Sequence, residues 1–474
     1  MSTDRELSEN SKVPIILCID VEPDARAIDP TERQDWEGFE RIWRYFTSIR
    51  PSLERATGAP VHYSWFVRMD PQIAYTYGAP DWAITRYGDI FADVQQARDE
   101  IGLHPHAWRW NDDGMEWISD FADQNWIRHC VELGFEHYAR CFKQSCQSFR
   151  FGDRWLNQQT ADLIERWGVR FDLTVEPGRK PEVLIESFTG ALPDYTLAPR
   201  RPYRPSRTQF LQPDTAASQS SLWMIPISTA SIYWAFPPRS TEAQTATEFP
   251  AEAAYEGCFD FLDQLWIRGW VYDAHHPDEI VNVDLYDNGE FVATYAADIF
   301  RPDLLQAEKG SGVHSFVIPV PDNRRDQRSH ELSIRVSGSR FELDASPKSV
   351  VWHGRETWED YRTLNLAIDP LLFGRLFDAL LHDRSDSLLA LVLRTGAFSN
   401  PAERANCEQN VRRLCQHPMA NCFVCATPAE ALELMQTRLW ETQQRRSRHW
   451  FLNAFAVTEI VATLGDCASR LPGG

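Results

Sequence analysis

The chain has 474 residues, of which 43% are hydrophobic, and its formal net charge is −20. This length predicts two or three domains with enough chain to bury a core. The strongly negative charge argues against nucleic acid or an anionic membrane as a partner, because both are bound through basic patches.

Region 13–238 alternates apolar strands with amphipathic helices. The predicted strands are Val13–Ile19, Val61–Val67, Gln147–Phe151 and Leu222–Ile227, and the predicted helices are Trp126–Lys143 and Thr160–Trp167. Such alternation is typical of an α/β domain with a mostly parallel sheet. A Pro-, Arg-, Ser- and Gln-rich stretch over 199–220 predicts a long loop.

The pattern changes after a Ser-, Thr-, Ala- and Pro-rich linker over 237–252. Region 255–350 shows short alternating strands with a hairpin turn at Asp287-Asn288-Gly289, which predicts a β-sandwich. The α/β pattern returns over 358–440, so we interpret the sandwich as an insertion into the first domain. The elements predicted there are helices Trp358–Leu381, Asn406–Leu414 and Pro428–Leu439 and the strand Leu388–Leu393.

The two ends of the chain and its cysteines indicate in which cellular compartment the protein is expected. Residues 1–12 are polar and charged, which does not suit a signal peptide. Residues 441–474 predict a C-terminal helical tail, whose apolar part is too short and too polar to span a bilayer. We therefore expect a cytoplasmic protein without a membrane span, in which the ten cysteines stay reduced.

One pair of cysteines, Cys422 and Cys425, has the C-x-x-C spacing, with Cys407 and Cys415 upstream. A zinc or redox role is one interpretation of this spacing. The pair lies in a strand-like apolar run without a matching second pair, so we favour buried structural thiols.

Two short motifs carry the candidate chemistry. Asp20-Val21-Glu22 closes the first predicted strand, and His104-Pro105-His106 follows the strand-like run Asp99–Leu103. In an extended chain, residues i and i+2 point to the same side, so two carboxylates and two imidazoles can converge at strand ends. Oxygen and nitrogen ligands of this kind suit a divalent metal. The alternative is that Asp20 or Glu22 simply caps the helix that follows.

Four segments in this order resemble the NodB-type polysaccharide deacetylases, in the branch with D-V-E and H-x-H forms. They are Asp20–Glu22, Glu100–Trp108, Phe149–Trp155 and Leu163–Val175. The resemblance covers about 13–232 and resumes at about 365–435. A weaker resemblance links Gly269–Asp273 and Asp298–Asp303 to small β-sandwich modules of bacterial glycosyltransferases.

The first resemblance implies a distorted (β/α) barrel of the deacetylase type, interrupted here by the sandwich, with its site at the carboxyl ends of the strands. It also implies a metal-dependent hydrolase that removes an acetyl group from an N-acetylated sugar. The expected cofactor is a divalent metal, with zinc as the expected ion, and the expected partner is a carbohydrate substrate. The oligomeric state stays open.

The resemblance assigns roles to individual residues. Asp20 matches the family's base, and Arg150 matches the arginine that pairs with it. The metal ligands match Glu22, His104 and His106. Asp172 matches an acidic position that in many members supports a catalytic histidine.

One position departs from the family. The last barrel strand usually presents a histidine that acts as general acid, and here Arg394 stands at that place. Arginine keeps its proton and cannot donate and reclaim one. Two hypotheses therefore stand: an active carbohydrate N-deacetylase, and a catalytically impaired relative that binds glycan or a partner.

Overall fold

The computed structural model describes residues 12–31, 35–181, 187–214, 220–243, 253–264, 266–320, 324, 326–352, 361–383 and 388–437. The predicted tail 441–474 and residues 244–252 of the predicted linker lie outside these ranges. The chain divides into two compact units, Met1–Thr229 with Thr363–Gly474, and Ala230–Arg362. Among the described residues, no helix has the length and apolar character needed to cross a bilayer.

The strands are numbered in chain order. The first ten, β1–β10, are Val13–Val21, Ser64–Val67, Glu100–Leu103, Trp108–Asn111, Glu116–Asp120, Ser148–Phe149, Phe171–Asp172, Phe188–Thr189, Trp223–Met224 and Thr229–Ser231. The next eight, β11–β18, are Tyr255–Leu262, Trp266–Asp273, Asn282–Asp287, Glu290–Ala296, Ile299–Phe300, Val313–Pro319, Ser329–Val336 and Lys348–Val351. The last three, β19–β21, are Tyr361–Thr363, Leu389–Arg394 and Phe423–Cys425.

Ten α-helices accompany these strands in the described ranges, and residues 428–437 are also helical. Helices α1–α10 are Glu37–Thr57, Pro71–Tyr77, Trp82–Arg86, Gly88–Gln96, Gln124–Phe142, Gln158–Arg166, Ile232–Ala235, Pro302–Gln306, Pro370–Asp383 and Pro401–Gln416. Several of these helices begin at an Asx side chain that accepts hydrogen bonds from backbone N–H groups of the first turn. These caps are Asp70, Asp123, Asn157 and Asn400.

The first unit is built on one parallel sheet in the order β20-β1-β2-β3-β6-β7-β9, with β21 also paired to β1. Every residue of β1 is buried, as a strand covered on both faces requires. Beyond β9 the chain curves back, and Ser228 N donates a hydrogen bond to Ala390 O of β20 at 2.9 Å. This arrangement is a distorted (β/α) barrel, and the predicted fold class is confirmed.

The helix predicted to begin at Trp358 is wrong at its start. Residues 353–360 lie outside the described ranges, Tyr361–Thr363 form the strand β19, and α9 begins only at Pro370. Asp369 Oδ1 accepts hydrogen bonds from the backbone of Leu371 and Leu372, so it caps the helix there. Proline at the first helical position favours the same start.

The second unit contains two antiparallel sheets, in the orders β11-β12-β16-β15 and β14-β13-β17-β18. Apolar residues of both sheets share one core, including Phe259 and Ile267 from the first and Val283 and Ile334 from the second. The predicted sandwich range 255–350 lies within this unit.

Candidate metal centre

Three potential metal ligands converge at the carboxyl ends of neighbouring strands. Glu22 follows β1, and His104 and His106 follow β3. Their ligand atoms all lie within 4.8 Å of one another. The Nε2 atoms of His104 and His106 are 3.2 Å apart, and His106 Nε2 is 3.5 Å from Glu22 Oε2. In the described part of the chain, no other group of three or more His, Cys, Asp or Glu residues has this proximity.

The backbone around Glu22 is held by the far end of the chain. Thr395 Oγ1 donates a hydrogen bond to Glu22 O at 2.8 Å and accepts one from Glu22 N at 3.1 Å. Thr395 directly follows β20, which pairs with β1. Pairing of β20 with β1 therefore holds the backbone from which the Glu22 carboxylate projects.

Each imidazole has an oriented Nδ1. His104 Nδ1 donates to the backbone oxygen of Arg150 at 2.8 Å, and His106 Nδ1 lies 3.1 Å from Asp153 Oδ2. For His104, ligation through Nε2 places the ring proton on Nδ1, where the Arg150 oxygen accepts it. His106 Nδ1 instead accepts a hydrogen bond from Trp108 Nε1 at 2.9 Å, with the Asp153 carboxylate beside it. Burial lowers the pKa of His104 to about 4 and the pKa of His106 well below its ordinary value. Both rings are therefore neutral at working pH, as metal ligands must be.

The turn that carries Asp153 is packed against His106. A Cβ on Gly152 would lie 2.3 Å from Cγ and Cδ2 of the His106 ring. Asp153 and Arg154 have positive φ angles of 53° and 56°, a conformation that costs free energy in residues other than glycine. This strained turn places the Asp153 carboxylate next to the His106 imidazole.

The chemistry and disposition of these donors fit a divalent metal. Two neutral imidazoles and one carboxylate form a three-ligand set of the type that zinc takes in open, catalytic sites. Each ring is also held by a second hydrogen bond, as metal-bound histidines usually are.

The predicted base and its arginine partner are in contact. Arg150 Nε lies 3.1 Å from Asp20 Oδ1 and 3.2 Å from Oδ2, and both side chains are buried. Arg150 also donates to Leu173 O at 2.7 Å and lies 3.4 Å from Glu176 Oε1. Burial raises the pKa of Asp20 to about 6, although the Arg150 charge acts in the opposite direction.

Arg394 lies at the same level of the sheet as Asp20, because the two residues are register partners across β20 and β1. Its Nε is 3.5 Å from Glu22 Oε1, and 36% of its side chain is exposed. The arginine therefore faces the metal centre from the solvent side and does not lie on the outside of the barrel.

Asp172 is buried at the end of β7 and lies outside the three-ligand group. Its carboxylate accepts hydrogen bonds from the backbone N and from Oγ1 of Thr174, at 3.0 and 2.9 Å. Burial raises its pKa to about 7. These contacts orient the Thr174 side chain, whose Oγ1 accepts a hydrogen bond from Phe151 N.

Sequence reasoning missed three charged residues next to the ligands. Arg68 is buried, and its Nη1 lies 3.9 Å from Glu22 Oε2, while its Nε donates to Asp70. Asp70 also accepts a hydrogen bond from His106 N at 3.0 Å. The third residue is Asp153, beside His106. A signal existed, since Arg68 and Asp70 follow β2, whose carboxyl end lies at the same edge of the sheet as β1 and β3.

The cysteines are only partly as expected. Cys407 and Cys425 are buried, whereas Cys415 and Cys422 are of intermediate exposure. The prediction of buried thiols for the C-x-x-C pair is therefore confirmed for Cys425 and wrong for Cys422.

Comparison of this chain with known proteins finds similar solved structures. No family model and no curated protein matches this chain. A proposed polysaccharide deacetylase from Mycobacterium smegmatis matches at 13% identity and a TM-score of 0.36, over 90% of this chain and 92% of its own. A restored-activity mutant of a CE4 family pseudoenzyme matches at 11% identity and 0.22, over 35% and 45%. A proposed polysaccharide deacetylase of O-antigen biosynthesis from Bordetella bronchiseptica matches at 14% identity and 0.20, over 45% and 57%.

Proposed function

We propose that this protein is a divalent-metal-dependent hydrolase that removes an N-acetyl group from a sugar of a polysaccharide or surface-glycan precursor. The observation that carries the proposal is the position of Asp20, a buried carboxyl two residues from Glu22 in the three-ligand group. A pKa of about 6 makes it a competent general base near neutral pH. The sequence resemblance described above supplies the reaction class.

Zinc or a similar ion, held by Glu22, His104 and His106, would polarise the amide carbonyl and acidify a bound water. Asp20 would accept the proton of that water on a carboxylate oxygen. Arg150 holds this carboxylate in one orientation through its Nε contacts and favours the charged form. Burial of both groups keeps bulk water from competing for these contacts.

Proton return to the leaving amine then depends on Asp20 itself. Arg394 carries a fixed charge and cannot exchange protons, so its role is to stabilise negative charge that develops on the open side of the site. A carboxyl with a pKa of about 6 can give up the proton that it accepted. One residue would thus serve as base and as acid in succession.

The test is metal content of the purified protein together with acetate release from a panel of N-acetylated sugars. His104→Ala and His106→Ala should each lower metal affinity by about tenfold or more, because a ligand is lost. Asp20→Asn should keep stoichiometric metal and abolish turnover. Stoichiometric metal in both histidine variants would contradict the assigned site, and metal without acetate release from any sugar would contradict the enzymatic function.

A second candidate function is that of a catalytically impaired glycan-binding protein. The contact between Arg394 and Glu22 favours it, because a fixed cation replaces the acid histidine and shares a metal-ligand carboxylate. Under this hypothesis the wild-type protein binds N-acetylated sugars without acetate release, at full metal occupancy or without metal. Acetate release that disappears in Asp20→Asn would exclude it.

A further inference from the structure

A cavity of about 840 Å³ lies beside the metal centre in the first unit. Its walls come from the segment after β1, from α2, and from the hairpin β4–β5, which begins two residues after His106. This volume is within the range of small-molecule sites in proteins. The proposed chemistry at the metal uses none of the aromatic residues that line it.

Three aromatic rings form one wall of this cavity. Tyr75 and Trp110 are stacked with centroids 6.0 Å apart at 25°, and Trp117 meets both rings near their edges. Trp117 is buried and anchored by a hydrogen bond from its Nε1 to Ile28 O at 2.7 Å, whereas Tyr75 is 56% exposed. A fixed indole thus supports the stacked pair, of which Tyr75 is more than half exposed and Trp110 partly exposed. Flat apolar faces of this kind pack against the C–H face of a sugar ring.

The polar part of the lining is acidic. Asp29, Asp112 and Glu116 contribute carboxylates. Among the described residues that line the cavity, Arg26 is the one with a positively charged side chain, and its guanidinium is paired with Asp153. Carboxylates accept hydrogen bonds from hydroxyl groups and repel phosphate or carboxylate ligands. The charge therefore favours an uncharged polyhydroxylated ligand over an anionic one.

Two residues join the cavity to the metal centre. Trp108 lines the cavity, and its Nε1 lies 2.9 Å from His106 Nδ1. Arg26 lines it too, and its partner Asp153 lies 3.1 Å from the same nitrogen. The cavity thus lies on the Nδ1 side of His106, and Trp108 and the Arg26–Asp153 pair stand between it and the ring whose Nε2 faces the other ligands.

From these contacts we propose that the cavity is a subsite for an uncharged sugar residue next to the residue that is deacetylated. This inference rests on the proposed function for the reacting end of the substrate. It narrows the substrate class to a neutral oligosaccharide or polysaccharide, in place of a monosaccharide, a nucleotide sugar or a polyuronic chain.

Calorimetric titration of the full-length protein tests the subsite without any turnover. The probes are N-acetylglucosamine and its tetramer, together with cellotetraose and tetragalacturonate. We expect each neutral tetramer to bind about tenfold or more tightly than N-acetylglucosamine and than tetragalacturonate. Trp110→Ala and Tyr75→Ala should each remove most of this length advantage and leave monosaccharide binding unchanged.

The matched control is Phe300→Ala, since Phe300 is 50% exposed, lies in the second unit and does not line the cavity. It should bind every probe like the wild type. Tyr75→Ala also guards against misfolding, because more than half of that side chain is exposed. Changing Asp112 and Glu116 together to Asn and Gln should weaken tetramer binding and raise the affinity for tetragalacturonate.

The subsite would be overturned if monomer and tetramer bound with equal affinity, or if neither neutral tetramer bound. It would also be overturned if tetragalacturonate bound more tightly than the neutral tetramers, or if both aromatic variants kept the length advantage. Tetramer binding that depends on Trp110, without acetate release, would overturn the proposed hydrolase and leave the subsite standing. Acetate release without tighter binding of the tetramers would overturn the subsite and leave the proposed hydrolase standing.

Discussion

Arg394 Nε lies 3.5 Å from Glu22 Oε1, so a fixed positive charge touches a carboxylate of the three-ligand group. The contact follows from the parallel register of β20 and β1, in which Arg394 is the partner of Asp20. A guanidinium at this distance stabilises the carboxylate in the same way as a bound cation would. Arg394, at the end of β20, therefore competes with a metal ion for the Glu22 carboxylate.

Replacement of Arg394 should raise metal affinity. Both Arg394→His and Arg394→Ala remove the competing charge, and we expect each to bind zinc about three- to tenfold more tightly, as measured by competition with a chelator. Arg394→His also supplies a group that titrates near neutral pH, so its acetate release should exceed that of Arg394→Ala. Arg404→His, at a similarly exposed arginine on α10, is the control. Unchanged zinc affinity in both Arg394 variants would contradict the competition.

Gly152→Ala should weaken the candidate metal centre and lower the stability of the protein. The new Cβ would overlap the His106 ring at 2.3 Å, so the ring must move. We expect metal affinity to fall about tenfold and stability to fall by about 1–3 kcal/mol. Gly88→Ala is the control, because a Cβ there meets no atom within 4 Å. If zinc titration shows the two variants to be alike, the packing of His106 on Gly152 is not what positions the ligand.

Asp172→Asn should change the pH dependence of stability. Burial raises the pKa of Asp172 to about 7, whereas an unfolded chain gives about 3.9. Between these values the folded state keeps a proton that the unfolded state has lost, so this group makes stability fall as pH rises from about 4 to 7. Asparagine resembles the protonated form and removes the decline.

Urea unfolding at pH 5 and pH 8 measures the effect of Asp172→Asn. Relative to the wild type, the variant should gain at least about 1 kcal/mol of stability on going from pH 5 to pH 8. Asp93→Asn, at an exposed position of α4, should show no such gain. A constant difference between wild type and Asp172→Asn at both pH values would mean that the carboxyl does not titrate in this range.

Residues 230–362 should be removable as one piece. The chain leaves the first unit at Thr229 and returns at Thr363, and Leu364 N donates a hydrogen bond to Ser228 O at 2.8 Å. Because the two ends meet, a four-residue Gly/Ser linker can replace the second unit. We expect the shortened protein to unfold cooperatively and to bind metal as the full chain does. A broad, non-cooperative transition in calorimetry would contradict the proposed insertion.

The local sequence pattern predicted the site residues that lie at the end of a single buried strand. The continuous apolar run of β1 and its terminal Asp20 and Glu22 are visible in the sequence, because a strand buried on both faces must be apolar and its end meets solvent. The H-x-H motif after β3 is visible for the same reason. The helix predicted from Trp358 failed at its start, because Tyr361–Thr363 form the strand β19 and the cap at Asp369 decides where α9 begins.

By itself, the sequence determined the α/β and all-β periodicities, the strand ends that carry Asp20, Glu22, His104 and His106, and the net negative charge. Only the tertiary structure decided that Arg68, Asp70 and Asp153 surround the imidazoles, that Arg394 touches Glu22, and that an aromatic cavity adjoins His106. The physical reason is that periodicity reports which face of one element is buried. The pairing register and the closure of the barrel set the distances between side chains far apart in the chain, and on those distances both pKa values and ligand geometry depend.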